Sequence, residues 1–226
     1  MAELILALDL PDRASALRML DRLPALRWVK IGSILMTAEG PGLVREVRAR
    51  GLSVFLDLKW HDIPNTVRGA VAVARGLGVQ MTTVHLLGGP AMLRAAAEAA
   101  GDDLAVVGVT VLTSHDEAEY ALTTGRPSVR LLDEAARLAR IGMAAGLAGV
   151  VSSPLEVDRL RSGLGPEPLI VVPGIRRPSD DSGDQSRTAT PSEAVRQGAT
   201  HLVVGRPVLL ASDPAAAFEE LAMSLA

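Results

Sequence analysis

Eight short apolar runs, separated by segments with apolar residues at helical spacing, constrain this chain more than any other feature of its sequence. The runs cover residues 4–8, 28–31, 53–58, 81–85, 105–109, 148–151, 169–172 and 201–204. Each is about four to seven residues long and apolar on consecutive positions, as in a strand buried on both faces. Residues 14–23 illustrate the intervening segments, with Leu17, Leu20 and Leu23 on one helical face. Strands alternating with helices build a parallel sheet. Eight of them in 226 residues predict a closed (β/α)8 TIM barrel, an α/β fold forming a single domain over 1–226. The competing architecture, a doubly wound open sheet, normally announces itself by a glycine-rich turn after the first strand. Here that strand runs into Asp9-Leu10-Pro11-Asp12.

Composition removes several function classes. The five aromatic residues, Trp28, Phe55, Trp60, Tyr120 and Phe218, offer few surfaces for stacking bases, and the net charge of -3 gives no electrostatic footprint for nucleic acid. The absence of cysteine excludes disulfides, thiolate metal sites and a cysteine nucleophile. No apolar run reaches the ~18 residues of a membrane span. The opening segment lacks the basic region of a secretory signal, so a cytoplasmic location with no membrane partner is expected. No linker divides the chain. The polar stretch 176–190, between the seventh run and the helix before the eighth, reads as a loop over the barrel mouth. A second loop, 113–127, follows the fifth run and carries a short helix at 116–122.

Charges recur where the strands end. Asp9 follows the first run, Lys30 lies in the second, and Asp57, Lys59 and Asp62 mark the end of the third. In a (β/α)8 barrel the carboxyl ends of the strands carry the active site, and charge in an apolar barrel is costly unless paired. Asp57 and Lys59 are two apart on a strand and project to one face. Neighbouring anions favour the ammonium form of Lys59, which suits a proton donor or a fixed cation. A Schiff-base lysine needs an apolar pocket or a second cation. At the eighth strand, Val204 leads into Gly205-Arg206-Pro207, and Pro173-Gly174-Ile175-Arg176 follows the seventh. Loops in these two places commonly bind phosphate. Glycine lets the backbone approach the anion and arginine supplies a forked donor. The whole pattern predicts an enzyme acting on a small phosphorylated substrate.

These residues together resemble the orotidine 5'-phosphate decarboxylase family. The segment from Asp57 to Thr66 reads D-x-K-x-x-D-I-x-x-T, the family signature. Asp9, Lys30-Ile31-Gly32, Val111-Leu112-Thr113-Ser114, Pro173 to Arg176, Asp184-Gln185-Ser186-Arg187 and Val204 to Pro207 match its other segments in order. The loop departs from the usual pattern at 180–185, where Ser182 and Gly183 precede Asp184-Gln185. The resemblance implies decarboxylation of orotidine 5'-phosphate to UMP and CO2 without metal or organic cofactor. It assigns catalysis to Lys59, Asp57, Asp62 and Lys30, with Lys59 protonating C6. It assigns substrate binding to Asp9, Lys30, Asp57, Ile63, Thr66, Thr113, Pro173, Arg176, Gln185, Gly205 and Arg206, with the segment 174–190 gripping the phosphate. It also implies a homodimer in which Asp62 and Thr66 enter the partner's site.

Two other readings are compatible with parts of the pattern. Metal-dependent phosphosugar decarboxylases and aldolases of the same superfamily share the strand-three motif. They use Mg2+ and present a glutamate on strand two, where this chain has Lys30. A non-catalytic phosphosugar sensor would not need Asp57 and Lys59 together. His61 has no second histidine at helical or strand spacing and reads as a loop side chain, and His115 and His201 have no companions either. His85 ends the fourth strand and could line the pocket or serve structure, and Trp60 reads as packing. Asp102-Asp103 reads as a solvated pair.

Overall fold

A computed structural model of the protein describes residues 2–177 and 187–225. The strands β1 (Glu3–Ala7), β2 (Trp28–Gly32), β3 (Ser53–Trp60), β4 (Met81–His85), β5 (Ala105–Val109), β6 (Gly149–Val151), β7 (Leu169–Val172) and β8 (His201–Val204) pair in chain order. All neighbours are parallel, and β8 closes onto β1 with Leu4 opposite Leu202. Helices α1 (Arg13–Asp21), α2 (Ser33–Glu39), α3 (Pro41–Ala49), α4 (Pro64–Gly76), α5 (Gly89–Ala100), α6 (Glu117–Thr123), α7 (Leu131–Ala144) and α8 (Val157–Leu164) follow the first six strands. After β7 comes α9 (Pro191–Arg196), and after β8 come α10 (Arg206–Leu209) and α11 (Pro214–Met223). The expected (β/α)8 barrel is therefore the fold. The strand boundaries differ from expectation by a residue at β1, β2 and β6. At β3 the strand extends to Trp60, past the expected end at 58.

The pleat sorts side chains into two apolar layers. Ile5, Ala7, Phe55, Met81, Val107, Val171 and Val203 point inward and fill the barrel. Alternate residues such as Leu6, Val29, Leu56 and Leu202 point outward and pack under the helices, against Leu35, Val71, Leu93 and Leu138. With only two phenylalanines in the chain, these layers are aliphatic and close. At Gly149 a Cβ would fall 2.1 Å from the Leu169 carbonyl oxygen, so β6 approaches β7 only because the residue is glycine. The N-terminal end of the barrel is closed by Trp28 and His201, edge to face at 5.5 Å. Burial holds His201 down to about 4, so it is a neutral packing residue. The glycine-free turn after β1 is ended by Asp12, which caps α1 by accepting from the Ser15 N–H at 2.8 Å.

The loop after β5 is fixed by a buried carboxylate. Glu134 of α7 accepts from Arg137 at 2.7 and 2.9 Å, from Arg126 at 2.9 Å and from the Tyr120 hydroxyl of α6 at 3.1 Å. The Arg137 hydrogen bonds, then those of Arg126 and Tyr120, overcome burial and hold Glu134 down to about 2, while Tyr120 is pushed up to about 12. Glu134→Gln should lower Tm by roughly 4–8 °C near neutrality, the effect of about 2 kcal/mol in a domain of this size. Because the folded carboxyl titrates below its ordinary value, its contribution is complete above about pH 4.5 and is lost toward pH 2. The Tm gap between the two proteins should therefore narrow over that interval. A gap unchanged from pH 5 to pH 2.5 would contradict the assignment.

Candidate active site

Pleat parity brings the charged residues to the barrel mouth. Asp9 lies two residues beyond the inward-facing Ala7, Lys30 two beyond Trp28, and Asp57 two beyond Phe55. There they form a chain of alternating charge across three strands. Lys30 Nζ is 3.1 Å from Asp9 Oδ1 and 3.6 Å from Asp57 Oδ2. Lys59 Nζ bonds both Asp57 oxygens, at 2.9 and 2.8 Å. The Asp57 side chain is 10% exposed and that of Lys59 is 40% exposed, so a buried anion holds an ammonium that faces the open mouth. Burial pushes the Asp57 carboxyl up. The charges of Lys59 and Lys30 and the hydrogen bonds from Lys59 and Thr83 outweigh it, and the group stays below the ordinary carboxylate value.

Lys59 reaches this position through an irregular backbone. Leu56 pairs with Thr82 and Trp60 with Val84, so β3 takes four steps while β4 takes two. Inside this bulge Lys59 has φ +50°, the one non-glycine residue in the left-handed region among the described residues. Its N–H donates to Thr83 Oγ1 at 2.8 Å, and the Thr83 hydroxyl donates to Asp57 Oδ1 at 3.0 Å. The expected proximity of Asp57 and Lys59 is present, but regular pleating is not its cause. Gly32 leaves room for the neighbouring pair: a Cβ there would lie 3.1 Å from Lys30 Nζ and 3.6 Å from Asp9 Oδ1.

A cleft of about 520 Å³ opens over these groups, within the range of small-molecule sites. Its floor is the apolar top of the barrel core, Ala7, Phe55, Val151 and Val203. Nine of the residues singled out in the sequence line it: Asp9, Lys30, Asp57, Lys59, Thr113, Pro173, Arg176, Gly205 and Arg206. Around the rim, Arg206 follows β8, next to β1 with Asp9, then β2 with Lys30 and β3 with Lys59. Arg206 and Lys59 thus stand on separate sectors of the mouth. The loop stem after β7 is pinned where the Arg176 N–H donates to the Ala189 carbonyl at 3.0 Å, and the Arg176 guanidinium is itself buried. Arg187 donates to Glu156 after β6 and to the Leu112 carbonyl at 3.0 Å, which ties the loop carrying Thr113 to the same stem. Gln185 lies outside the described residues.

Three site candidates lie elsewhere. Asp62, Ile63 and Thr66 are exposed and do not line the cleft of their own chain. Asp62 Oδ1 instead accepts from the Ile63 N–H at 2.6 Å. His61, expected to be solitary, stacks on His85 at 5.6 Å, a neighbour that only the barrel supplies. His85 accepts from the Leu87 N–H at 3.3 Å. Burial, then the nearby His61 and Lys59, holds it down to about 4, so it serves structure as a neutral ring. Trp60 packs against the outer core, as expected of it. Thr83 was not among the sequence candidates, and nothing in the sequence singles it out. Phe55 and Val203 could have been found by counting back two residues from Asp57 and Gly205.

The model of the family described as orotidine 5'-phosphate decarboxylase / HUMPS matches residues 2–221. The chain belongs to this family. It is 45% identical over 232 residues to the orotidine 5'-phosphate decarboxylase of Moorella thermoacetica, covering 99% of this chain and 92% of that protein. It is 48% identical over 229 residues to the enzyme of the same name from Halorhodospira halophila, covering 99% and 95%. The crystal structure of orotidine 5'-phosphate decarboxylase from Lactobacillus acidophilus superposes with a TM-score of 0.89 at 34% identity, covering 100% of this chain and 99% of that one. An uncharacterized conserved protein from Geobacillus kaustophilus gives a TM-score of 0.86 at 30% identity, covering 99% and 100%. Within the family's barrel, the ion-pair chain depends on the room left at Gly32. Gly32→Ala should keep Tm within about 2 °C, since the displaced atom is the end of a flexible side chain. A crystal structure of the variant should show Lys30 Nζ shifted by a few tenths of an ångström away from the added methyl group, and an unmoved ammonium would refute the steric account.

Proposed function

We propose that this protein decarboxylates orotidine 5'-phosphate to UMP and CO2, with Lys59 as the proton donor and without metal or organic cofactor. The observation that carries this reading is the ammonium of Lys59, held by both oxygens of a buried carboxylate at the edge of a cleft with arginines elsewhere on its rim. When the C6–carboxylate bond of the pyrimidine breaks, its electron pair stays on C6 as CO2 departs. Lys59 stabilises that developing charge and then transfers a proton to C6, giving UMP, and the lysine regains a proton from solvent. Asp57, held below the ordinary carboxylate value by the Lys59 and Lys30 charges and so ionised near neutrality, stands beside the substrate carboxylate and disfavours the bound ground state. Asp9 and Lys30 hold the ribose hydroxyls and fix the ammonium of Lys59. Thr113 and Gln185 recognise the pyrimidine, and Pro173, Arg176, Gly205 and Arg206 hold the phosphate under the loop 174–190. Phosphate binding far from the reacting carbon supplies binding energy that is realised at the transition state.

The donor set favours this over the metal-dependent relatives. The position between the Asp9 and Asp57 carboxylates is taken by the Lys30 ammonium, which would repel a divalent cation. Turnover of orotidine 5'-phosphate to UMP in excess chelator is the expected result. Turnover that requires added Mg2+ would favour the relatives, and none at all a phosphosugar sensor. Lys59→Ala should lower kcat roughly ten-thousand-fold, the combined scale of a lost general acid and a lost electrostatic partner. Arg206→Ala should lower kcat/KM by about 3 kcal/mol or more, as for a lost charged contact. Near-native efficiency at low substrate in that variant would defeat the phosphate assignment.

The same proposal includes a homodimer in which Asp62 and Thr66, with Ile63, complete the partner's site. Their exposure on the segment 61–66, outside their own cleft, supports it. Mixing Lys59→Ala and Asp62→Ala proteins, each nearly inactive, would form hybrids with one intact site. Recovery of about a quarter of native activity is expected from statistical exchange between twofold dimers. No recovery, with exchange verified, would place Asp62 in its own subunit's site. Among the described residues no helix is long and apolar enough to cross a membrane. A charged phosphate monoester does not cross bilayers unaided, so a cytoplasmic location, which keeps the enzyme with its charged substrate, belongs to the same reading.

A further inference from the structure

The bulge in β3 leaves backbone groups that the β3–β4 ladder would otherwise satisfy, and two consecutive threonines of β4 take them up. Thr82 and Thr83 are both fully buried. Their side chains point to opposite faces of the sheet. On the outer face, the Thr82 hydroxyl donates to the Leu56 carbonyl at 2.8 Å. On the inner face, Thr83 Oγ1 accepts from the Lys59 N–H at 2.8 Å, and its own proton goes to Asp57 Oδ1 at 3.0 Å. The direction is forced, because an ionised carboxylate only accepts and a backbone N–H only donates. One hydroxyl therefore fixes both the orientation of the Asp57 carboxylate and the left-handed backbone from which Lys59 projects.

We propose that Thr83 is a positioning residue for the decarboxylation, holding the Lys59 ammonium at its working place through Asp57 and through the Lys59 backbone. This rests on the reading of Lys59 as proton donor. A left-handed lysine relaxes toward an ordinary conformation once its N–H loses its partner. A carboxylate that loses one donor can rotate about its side-chain torsions. Either change shifts the ammonium relative to the reacting carbon, and a displacement near 1 Å costs on the order of 100-fold in rate. Thr82 supports the same bulge from the outer face without touching Asp57 or Lys59, which makes it the internal control.

The test compares Thr83→Val, Thr83→Ser and Thr82→Val in the full-length enzyme, with kcat, KM and Tm measured for each. Thr83→Val should lose about 10- to 100-fold in kcat with KM changed less than about threefold, since the phosphate contacts are untouched. Thr83→Ser, which keeps the hydroxyl, should recover most of that loss. Thr82→Val should lower Tm comparably while keeping kcat within about twofold. Equal kcat in the two valine variants, or no rescue by serine in folded protein, would overturn the proposal. Should Thr83→Val fail to fold, Thr83→Ser and Thr83→Ala isolate the hydroxyl, and equal kcat for that pair overturns it as well. If the unsubstituted protein does not convert orotidine 5'-phosphate, the proposed function itself fails. If it does and the Thr83 variants match it, only the positioning role fails.

Discussion

A carboxylate buried at the top of an apolar barrel has to be compensated, and the two ammonium groups flanking Asp57 are that compensation. Removing water from a carboxylate costs several kcal/mol even after relaxation. Lys59 and Lys30 return that cost only because both lie within ion-pair distance, and Thr83 occupies part of the remaining acceptor capacity. The arrangement draws on four consecutive strands: Asp9 follows β1, Lys30 is on β2, Asp57 and Lys59 on β3, and Thr83 on β4. Side-by-side pairing of these four strands is thus a precondition for the charge network. No two adjacent elements could assemble it alone. The apolar floor beneath, with Phe55 and Val203, keeps the local dielectric low, so each charge acts strongly on its neighbours.

Along the barrel axis, polarity changes in steps. Trp28 and His201 close the N-terminal end with an aromatic contact, and His201 stays neutral because burial holds it down to about 4. Aliphatic side chains fill the middle. The paired charges of Asp9, Lys30, Asp57 and Lys59 gather at the carboxyl ends, where the connecting loops can bring further groups in. The two ends therefore carry different burdens. Packing at one end stabilises the closed sheet, and the other end can hold a bulge and a left-handed lysine because the rest of the barrel is regular. The tie from Arg187 to Glu156 and Leu112 extends the same logic to the loops.

The fold was legible because each buried strand is short, apolar and separated from the next by a helical pattern, and few architectures accept eight such units. The site was legible where parity and strand ends sufficed, as for Asp9, Lys30, Asp57, Gly205 and Arg206. It was legible for Lys59 by a partly mistaken route. Two-residue spacing suggested a shared face, yet β3 departs from its regular pairing with β4 between Leu56 and Trp60, and the contact depends on a φ of +50°. Thr83 escaped notice because its hydrogen bonds to Lys59 and Asp57 form only where the bulge brings β3 and β4 out of register. His61, just past the end of β3, meets His85 at the end of β4, a pairing that spacing along one element does not reveal.

The strand-three motif from Asp57 to Asp62 also divides for a backbone reason. Asp57 and Lys59 belong to β3, so they are bound to the barrel mouth of their own chain. After Trp60 the chain must leave the sheet and enter α4, whose first residue is Pro64. Proline disfavours a helical conformation in the residue before it, and Ile63 is extended at ψ 152°. That extended exit carries Asp62 away from the strand, and its carboxylate takes the Ile63 N–H at 2.6 Å. A three-residue separation between Lys59 and Asp62 is thus enough to give one motif two directions. The lysine faces the cleft of its own barrel, and the aspartate faces outward.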